Sequence, residues 1–359
     1  MGRIRISMSD IVMAQPLVCD LYASAQAPEN ERPLLRQGQI LHPGTLLDTL
    51  IHKGLYAEAD ALALQAPPSA LRTLNQLSHQ LDRLLHAMAS STSAQDDVRQ
   101  LAREAIKLAG SRRDIALASV LLGQIAGPYA VRHCLETALV AATVAAAMRR
   151  PFDEALCVVC AALTMNVGML GYHEQYQHRR GGLSDEETRT IQRHPMESAA
   201  LLAQAGVSDA DWLTCVEQHH ETPDGRGYPQ GCTGIAPNAQ LLSLADRYCA
   251  AVSARNYRRS QLPDAALREL LASGVEPALA EAFEAALGAC PPGTRVRLHS
   301  GETGVVASDD AVAVLLDADG DAYAEIGRAP AGAIREALHE DQAGLRFSMK
   351  QIWGDQAGL

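Results

Sequence analysis

From Pro128 to about Gly288 the chain is a succession of helix-length segments, broken at Pro151, Gly181-Gly182, Gly206, the Pro223 to Gly234 loop and Pro263. No other feature constrains the fold as much, because prolines and glycines at such intervals punctuate helices of ordinary length. Hydrophobic residues make up 47% of the chain and aromatics only 4%, so the core is expected to be Ala, Leu and Val on closely packed helices. The expected class is mainly α, with residues 128–289 as a helical bundle. A chain of 359 residues is long enough for two or three folding units.

The flanks read differently. Residues 1–60 mix short β-like runs (Arg3 to Ile6, Leu17 to Tyr22, Pro33 to Leu41) with Gly and Pro, then a helix from about Thr45 to Gly54, which predicts a small N-terminal α/β module. Residues 61–127 open with a Pro- and Ala-rich joint and continue with helical periodicity from Leu71 to Leu108, as a helical connector would. In residues 290–359, the stretch Thr294 to Ile326 alternates apolar and polar positions around Ser300-Gly301 and Asp319-Gly320, which predicts a short antiparallel β appendage. The tail from Ala331 has no clear period.

Several function classes are disfavoured. No apolar run reaches the roughly 18 residues of a membrane span, and Met1 to Asp10 lacks the apolar core of a signal peptide, so a cytoplasmic chain is expected. Eight scattered cysteines are expected to be reduced, and Cys157 and Cys160, although spaced C-x-x-C, fall on the buried face of an apolar helix. A formal charge of −11 argues against a general nucleic-acid surface. A small anion needs only a local cluster, and Arg179, Arg180, Arg189, Arg193, Arg226, Arg255, Arg258 and Arg259 stand near the motifs below. At least half of these are expected to be solvated surface charges.

Six of the twelve histidines lie between His133 and His220. The sharpest segment is His219-His220-Glu221-Thr222-Pro223-Asp224-Gly225-Arg226-Gly227-Tyr228-Pro229. Adjacent side chains on a helix diverge by about 100°, so two neighbouring imidazoles serve one site only if the helix end faces a cleft with more than one ligand-binding centre. A dinuclear metal site fits that demand.

This segment resembles, at every fixed position, the H-H-E-x-x-D-G-x-G-Y-P signature of the HD-GYP domain, the cyclic di-GMP phosphodiesterase family of the HD superfamily. The resemblance covers roughly Tyr129 to Arg259: Arg132-His133, Leu183-Ser184-x-Glu186-Glu187, His194-Pro195, Leu244-Ala245-Asp246 and Arg255-Asn256-Tyr257-Arg258 follow in the family's order. More weakly, Leu34 to Gly38 is similar to a module that precedes such domains. The resemblance implies an HD-superfamily bundle holding two or three iron or manganese ions, with His133, His194, His219, His220 and Asp246 as ligands. It also implies that the loop of Asp224, Gly225, Gly227, Tyr228 and Pro229, with Arg179, Arg255 and Arg258, meets a cyclic dinucleotide or a partner such as a GGDEF-type diguanylate cyclase.

The sequence departs from the family at its naming pair. Where the family reads H-D-I-G-K, this chain reads Met165-Asn166-Val167-Gly168-Met169. A thioether replaces an imidazole, a neutral amide replaces the carboxylate that bridges both metals, and the phosphate-facing lysine is gone. Asp246 alone cannot offset two divalent cations, so one iron or manganese ion or none is expected. Glu136, His173 and His178 are the weaker candidates for substitute ligands, and Tyr129 stands where trinuclear members carry a further glutamate. Two readings stay open: a non-catalytic or weakly active signalling protein that binds a dinucleotide or a partner, and an active phosphodiesterase with a rebuilt or mononuclear site.

Overall fold

The computed structural model describes residues 3–6, 17, 19–24, 31–39, 50, 54–58, 69–172, 184–253 and 259–358. It divides into two compact units, Met1–Ser69 and Ala70–Leu359.

In the first unit β1 (Arg3–Ile6) pairs antiparallel with β2 (Leu55–Glu58), and isolated bridges join Leu21 to Leu35 and Tyr22 to Tyr56. The run Leu55–Glu58 carried no strand signal, because four residues are too few to display a period. The helix expected from Thr45 to Gly54 lies almost wholly outside the described residues.

The second unit is built on helices α1 (Ala70–Ala87), α2 (Ala94–Ser111), α3 (Arg113–Leu121), α4 (Tyr129–Ala147), α5 (Phe152–Thr164), α6 (Asp185–Gln204), α7 (Ala210–Gln218), α8 (Pro237–Val252), α9 (Pro263–Leu271) and α10 (Pro277–Leu287). Prolines open α8, α9 and α10, where a missing N–H costs nothing. Helices α4 and α5 are apolar on every side and lie at the centre. The stretches Tyr129–Ala147 and Phe152–Tyr172 therefore do reach the length and hydropathy of a membrane span, but 83% and 78% of them are buried inside the protein. The segment 61–127 carries α1 to α3, whose apolar faces are continuous with this core. Cys157 and Cys160 are free thiols buried on α5.

A five-stranded antiparallel sheet follows: β3 (Arg295–Leu298), β4 (Thr303–Ser308), β5 (Ala311–Leu316), β6 (Ala322–Pro330) and β7 (Ile334–Leu338), in the order β6-β5-β4-β3-β7. Val296, Leu298, Val306, Val312 and Val314 pack one face, while Val305, Ala307 and Ala313 meet Ile352 on the other. The aperiodic tail supplies β7, which returns beside β3, and the short helices α11 (Glu340–Ala343) and α12 (Met349–Trp353).

Helix α7 is pinned to the end of α5. Trp212 is fully buried, its Nε1 donates to Thr164 Oγ1 at 2.9 Å, and Thr164 donates in turn to Cys160 O at 2.8 Å. This fixes the strand of chain that runs into Met165 against the helix that ends at His219.

Candidate metal centre

Three imidazoles converge. The ligand nitrogens of His194, His219 and His220 lie within 4.8 Å of one another, and local backbone chemistry aims the first two. Helix α6 starts with a capping box, in which Ser184 accepts from Glu187 N and Glu187 accepts from Ser184 N. Ten residues later Pro195 lacks the N–H that would have bonded Ile191 O. His194 Nδ1 lies 2.6 Å from that carbonyl and takes its place. Likewise α7 ends at Gln218, which frees its last carbonyls, and His219 Nδ1 lies 2.7 Å from Val216 O. A carbonyl only accepts, so both Nδ1 atoms carry the proton and both Nε2 atoms present lone pairs.

Those two Nε2 atoms stand 3.2 Å apart. Two acceptors repel at that distance unless a proton or a cation lies between them. Two nitrogens each ~2.1 Å from one ion and ~100° apart would be ~3.2 Å from each other. The donor set therefore fits one first-row divalent ion, with each ring braced by its backbone carbonyl as metal-ligating histidines usually are. Burial lowers the pKa of His219 and, with repulsion from neighbouring imidazoles, takes that of His220 well below the usual range; Asp246 opposes both shifts. Neutral imidazole is the metal-binding form.

His133 and Asp246 form a separate pair. His133 Nε2 donates to Asp246 Oδ1 at 2.7 Å, and Tyr129 stacks on the His133 ring with centroids 5.6 Å apart. Burial opposes charge on Asp246, but the His133 hydrogen bond and the nearby imidazoles outweigh it and hold the carboxyl well below the usual carboxylate range. Asp246 Oδ2 is 4.0 Å from His220 Nδ1, which links pair and triad.

Met165, Asn166 and Met169 are all buried. Asn166 stands in the turn between α5 and the short 3-10 segment Val167–Met169. The segment is held in place by Gly168, whose N donates to Ser198 Oγ at 2.9 Å and whose missing Cβ would lie 2.7 Å from Ser198 N. Glu136 is buried, accepts a long bond from Ser253 at 3.4 Å, and belongs to neither group.

The loop after the histidines folds back on them. Tyr228 N donates to His220 O at 3.2 Å, and the two rings lie 4.6 Å apart. A Cβ on Gly227 would stand 2.5 Å from Glu221 Cα, His220 O and Thr222 N. Gly225 has φ +72, a region glycine enters without penalty. Asp224 stays in the loop, accepting from Thr222 Oγ1 at 2.6 Å and Arg226 N at 3.1 Å. Pro229 follows Tyr228 through a cis peptide. Glu221, part of the signature segment, has a structural role that its position in the sequence does not announce: its buried carboxylate accepts from the backbone N of Gln230, Gly231 and Cys232. A carboxylate preceding a loop rich in Gly and Pro was the available signal.

Of the arginines, Arg193 pairs with Glu197, Arg226 with Asp224 and Arg259 with Asp341, all at exposed positions. Arg179, Arg180, Arg255 and Arg258 lie outside the described residues, as do His173 and His178.

The family model for the HD domain matches residues 126–275. A cyclic di-GMP phosphodiesterase of Pseudomonas aeruginosa is 28% identical over 199 residues, 54% of this chain and 48% of that protein. A cyclic di-GMP phosphodiesterase response regulator of Xanthomonas campestris is 32% identical over 124 residues, 33% of this chain and 32% of that protein. The chain thus spans about half or less of these relatives' length. Among solved structures, an HDG"Y"P protein of Bdellovibrio bacteriovorus aligns with TM-score 0.48 and 14% identity, covering 79% of this chain and 98% of that one.

Proposed function

We propose that the HD domain formed by residues 126–275 serves cyclic di-GMP signalling as a binding module with little or no turnover. His194, His219 and His220 hold one iron or manganese ion, and the Tyr228 loop takes a cyclic dinucleotide or a partner protein such as a diguanylate cyclase. The observation that carries this reading is the commitment of Asp246 to His133 at 2.7 Å, while position 166 holds a neutral amide. Asp246 is the one carboxylate of the pair and triad, and Glu136 belongs to neither. At ~4 Å two divalent cations repel by roughly 16 kcal/mol even at an effective dielectric near 20, and one carboxylate already paired does not offset that.

A bound ion would supply positive charge to a phosphate oxygen. The chain's own residues do the rest: Ile191 O and Val216 O orient the two rings, and His220 supports Tyr228, whose phenol burial keeps protonated and able to donate. The intact triad favours a second reading, slow hydrolysis on a single ion.

The test is protein purified without oxygen and loaded with iron or manganese. Metal analysis should return about one ion per chain, calorimetry should detect cyclic di-GMP, and chromatography should find no linear dinucleotide. Two ions per chain with turnover matching the Pseudomonas relative assayed alongside would overturn the proposal. Slow turnover abolished by His219→Ala, at one ion per chain, would establish the second reading instead.

A further inference from the structure

Helices α6 and α7, which carry the three histidines, are joined by the turn 205–209, and the start of α2 grips that turn. Ala94 N donates to Ala205 O at 3.1 Å, and Gln95 Oε1 accepts from Ser208 N at 2.9 Å. Arg99 Nη2 donates to Asp209 Oδ2 at 3.0 Å, both side chains being half-buried. Gly206, with φ +91, lies so close that a Cβ there would stand 2.4 Å from Thr92 O.

This clasp is placed to act on the site. Val98, Ala102, Ala105 and Leu108 bury α2 in the core, where it packs on α4 and α5, so α2 is a fixed reference for the turn. Asp209 serves two partners: Oδ2 meets Arg99, while Oδ1 accepts from Trp212 N at 3.2 Å and caps α7. His219 follows Asp209 by ten residues and Ala205 follows His194 by eleven, arms of about 15 Å at about 1.5 Å per residue. A tilt of about 5° at the turn therefore moves the histidine end of either helix by about 1.3 Å, whereas metal–ligand distances tolerate about 0.2 Å. Trp212 also fastens α7 to α5, so losing the clasp weakens the site without abolishing it.

We propose that Arg99 and Gln95 are positioning residues of the three-histidine site, holding His194 and His219 at ion-binding separation through the α6–α7 turn, and that metal binding and the clasp on α2 are reciprocally coupled. The metal half of this inference rests on the single-ion reading above; the placement of the imidazoles does not. Linkage makes the coupling run both ways: whatever factor the clasp adds to metal affinity, a bound ion adds to the stability of the clasp. A partly exposed ion pair sets that factor at about fivefold. A displacement of α2 is thereby felt at the ion.

Asp209→Asn tests the inference in the full chain, because asparagine still caps α7 but turns an amide toward Arg99 in place of a charge. In metal-free protein the imidazole nitrogen resonances of His194 and His219 should shift in Asp209→Asn and in Arg99→Gln, while melting curves show both variants folded. Manganese, followed by calorimetry, should bind each about fivefold more weakly than wild type, and the double variant no more weakly than either. Hydrogen exchange at Ala94 and Ser208 should slow about fivefold when manganese saturates the wild type, measured against peptides of the sheet, and should ignore manganese in His219→Ala. A role in stability alone would leave resonances and affinity in place. Manganese affinity indistinguishable from wild type in folded Asp209→Asn overturns the inference. If wild type itself binds no manganese, the single-ion reading fails separately, and the metal-free resonances decide: shifted in Asp209→Asn they uphold the positioning role, unmoved they overturn it.

Discussion

Glu221→Gln probes how the loop behind the histidine pair is held. The Glu221 side chain is 2% exposed. Its Oε1 accepts from Gln230 N at 2.7 Å and Gly231 N at 3.1 Å, and Oε2 accepts from Cys232 N at 3.1 Å. Glutamine keeps the shape, and its carbonyl oxygen still serves Gln230 and Gly231, now as a neutral acceptor. Its amide nitrogen, however, meets the Cys232 N–H donor against donor. Losing one charge-assisted bond costs about 2 kcal/mol, and halving the other two adds about 1.5 kcal/mol, so the loop is destabilised by roughly 3 kcal/mol. The loop has few apolar anchors, so this penalty should appear as local opening more than as global unfolding. Hydrogen exchange measured on peptides spanning 219–234 should then speed by about 100-fold at Gln230 to Cys232, since every ~1.4 kcal/mol is tenfold. Glu221→Gln protein with wild-type exchange and an unshifted melt would refute the assignment of the loop's shape to this carboxylate.

Three other outcomes follow. Gly227→Ala forces a Cβ to 2.5 Å from three backbone atoms, so it should cost about 3 kcal/mol or more by urea unfolding and lower metal occupancy at His220; a midpoint within error of wild type would contradict the packing. Burial keeps His219 and His220 neutral in the folded state while the unfolded chain protonates them. Folded protein thus binds fewer protons, and stability is full above the ordinary imidazole value of about 6.5 and falls below it by up to ~1.4 kcal/mol per pH unit per histidine. Unfolding midpoints that stay flat from pH 7.5 to 5.5 would exclude this. Finally, Asn166→Asp puts a carboxylate at a position that is 4% exposed, which should lower the melting temperature by about 5–10 °C without metal. Manganese should recover that loss, and a melt indifferent to both changes would show that position 166 does not face the centre.

The helical class, the C-terminal sheet and the grouping of histidines were readable because each rests on a period or a spacing. Pro151 and Pro263, read as breaks between helices, stand at the starts of α5 and α9 in the fold. The division of the candidate ligands into a triad and a pair was not readable. It depends on which imidazole nitrogen each carbonyl claims, and the bonds to Ile191 O and Val216 O arise only once a proline and a helix end have freed those carbonyls. The strand Leu55–Glu58 lay hidden for want of length, and β7 because its register is imposed by β3 rather than by its own alternation.

Different bonds hold the segment of residues 165–169 and the Tyr228 loop. The loop depends on Glu221, on the close approach at Gly227 and on the Tyr228 N to His220 O bond, none of which touches residues 165–169. The segment of residues 165–169 is held separately, through Gly168 on Ser198. A change within residues 165–169 therefore alters the chemistry beside the histidines without altering the bonds that shape the Tyr228 loop, and Pro195 and the end of α7 position the triad independently of both.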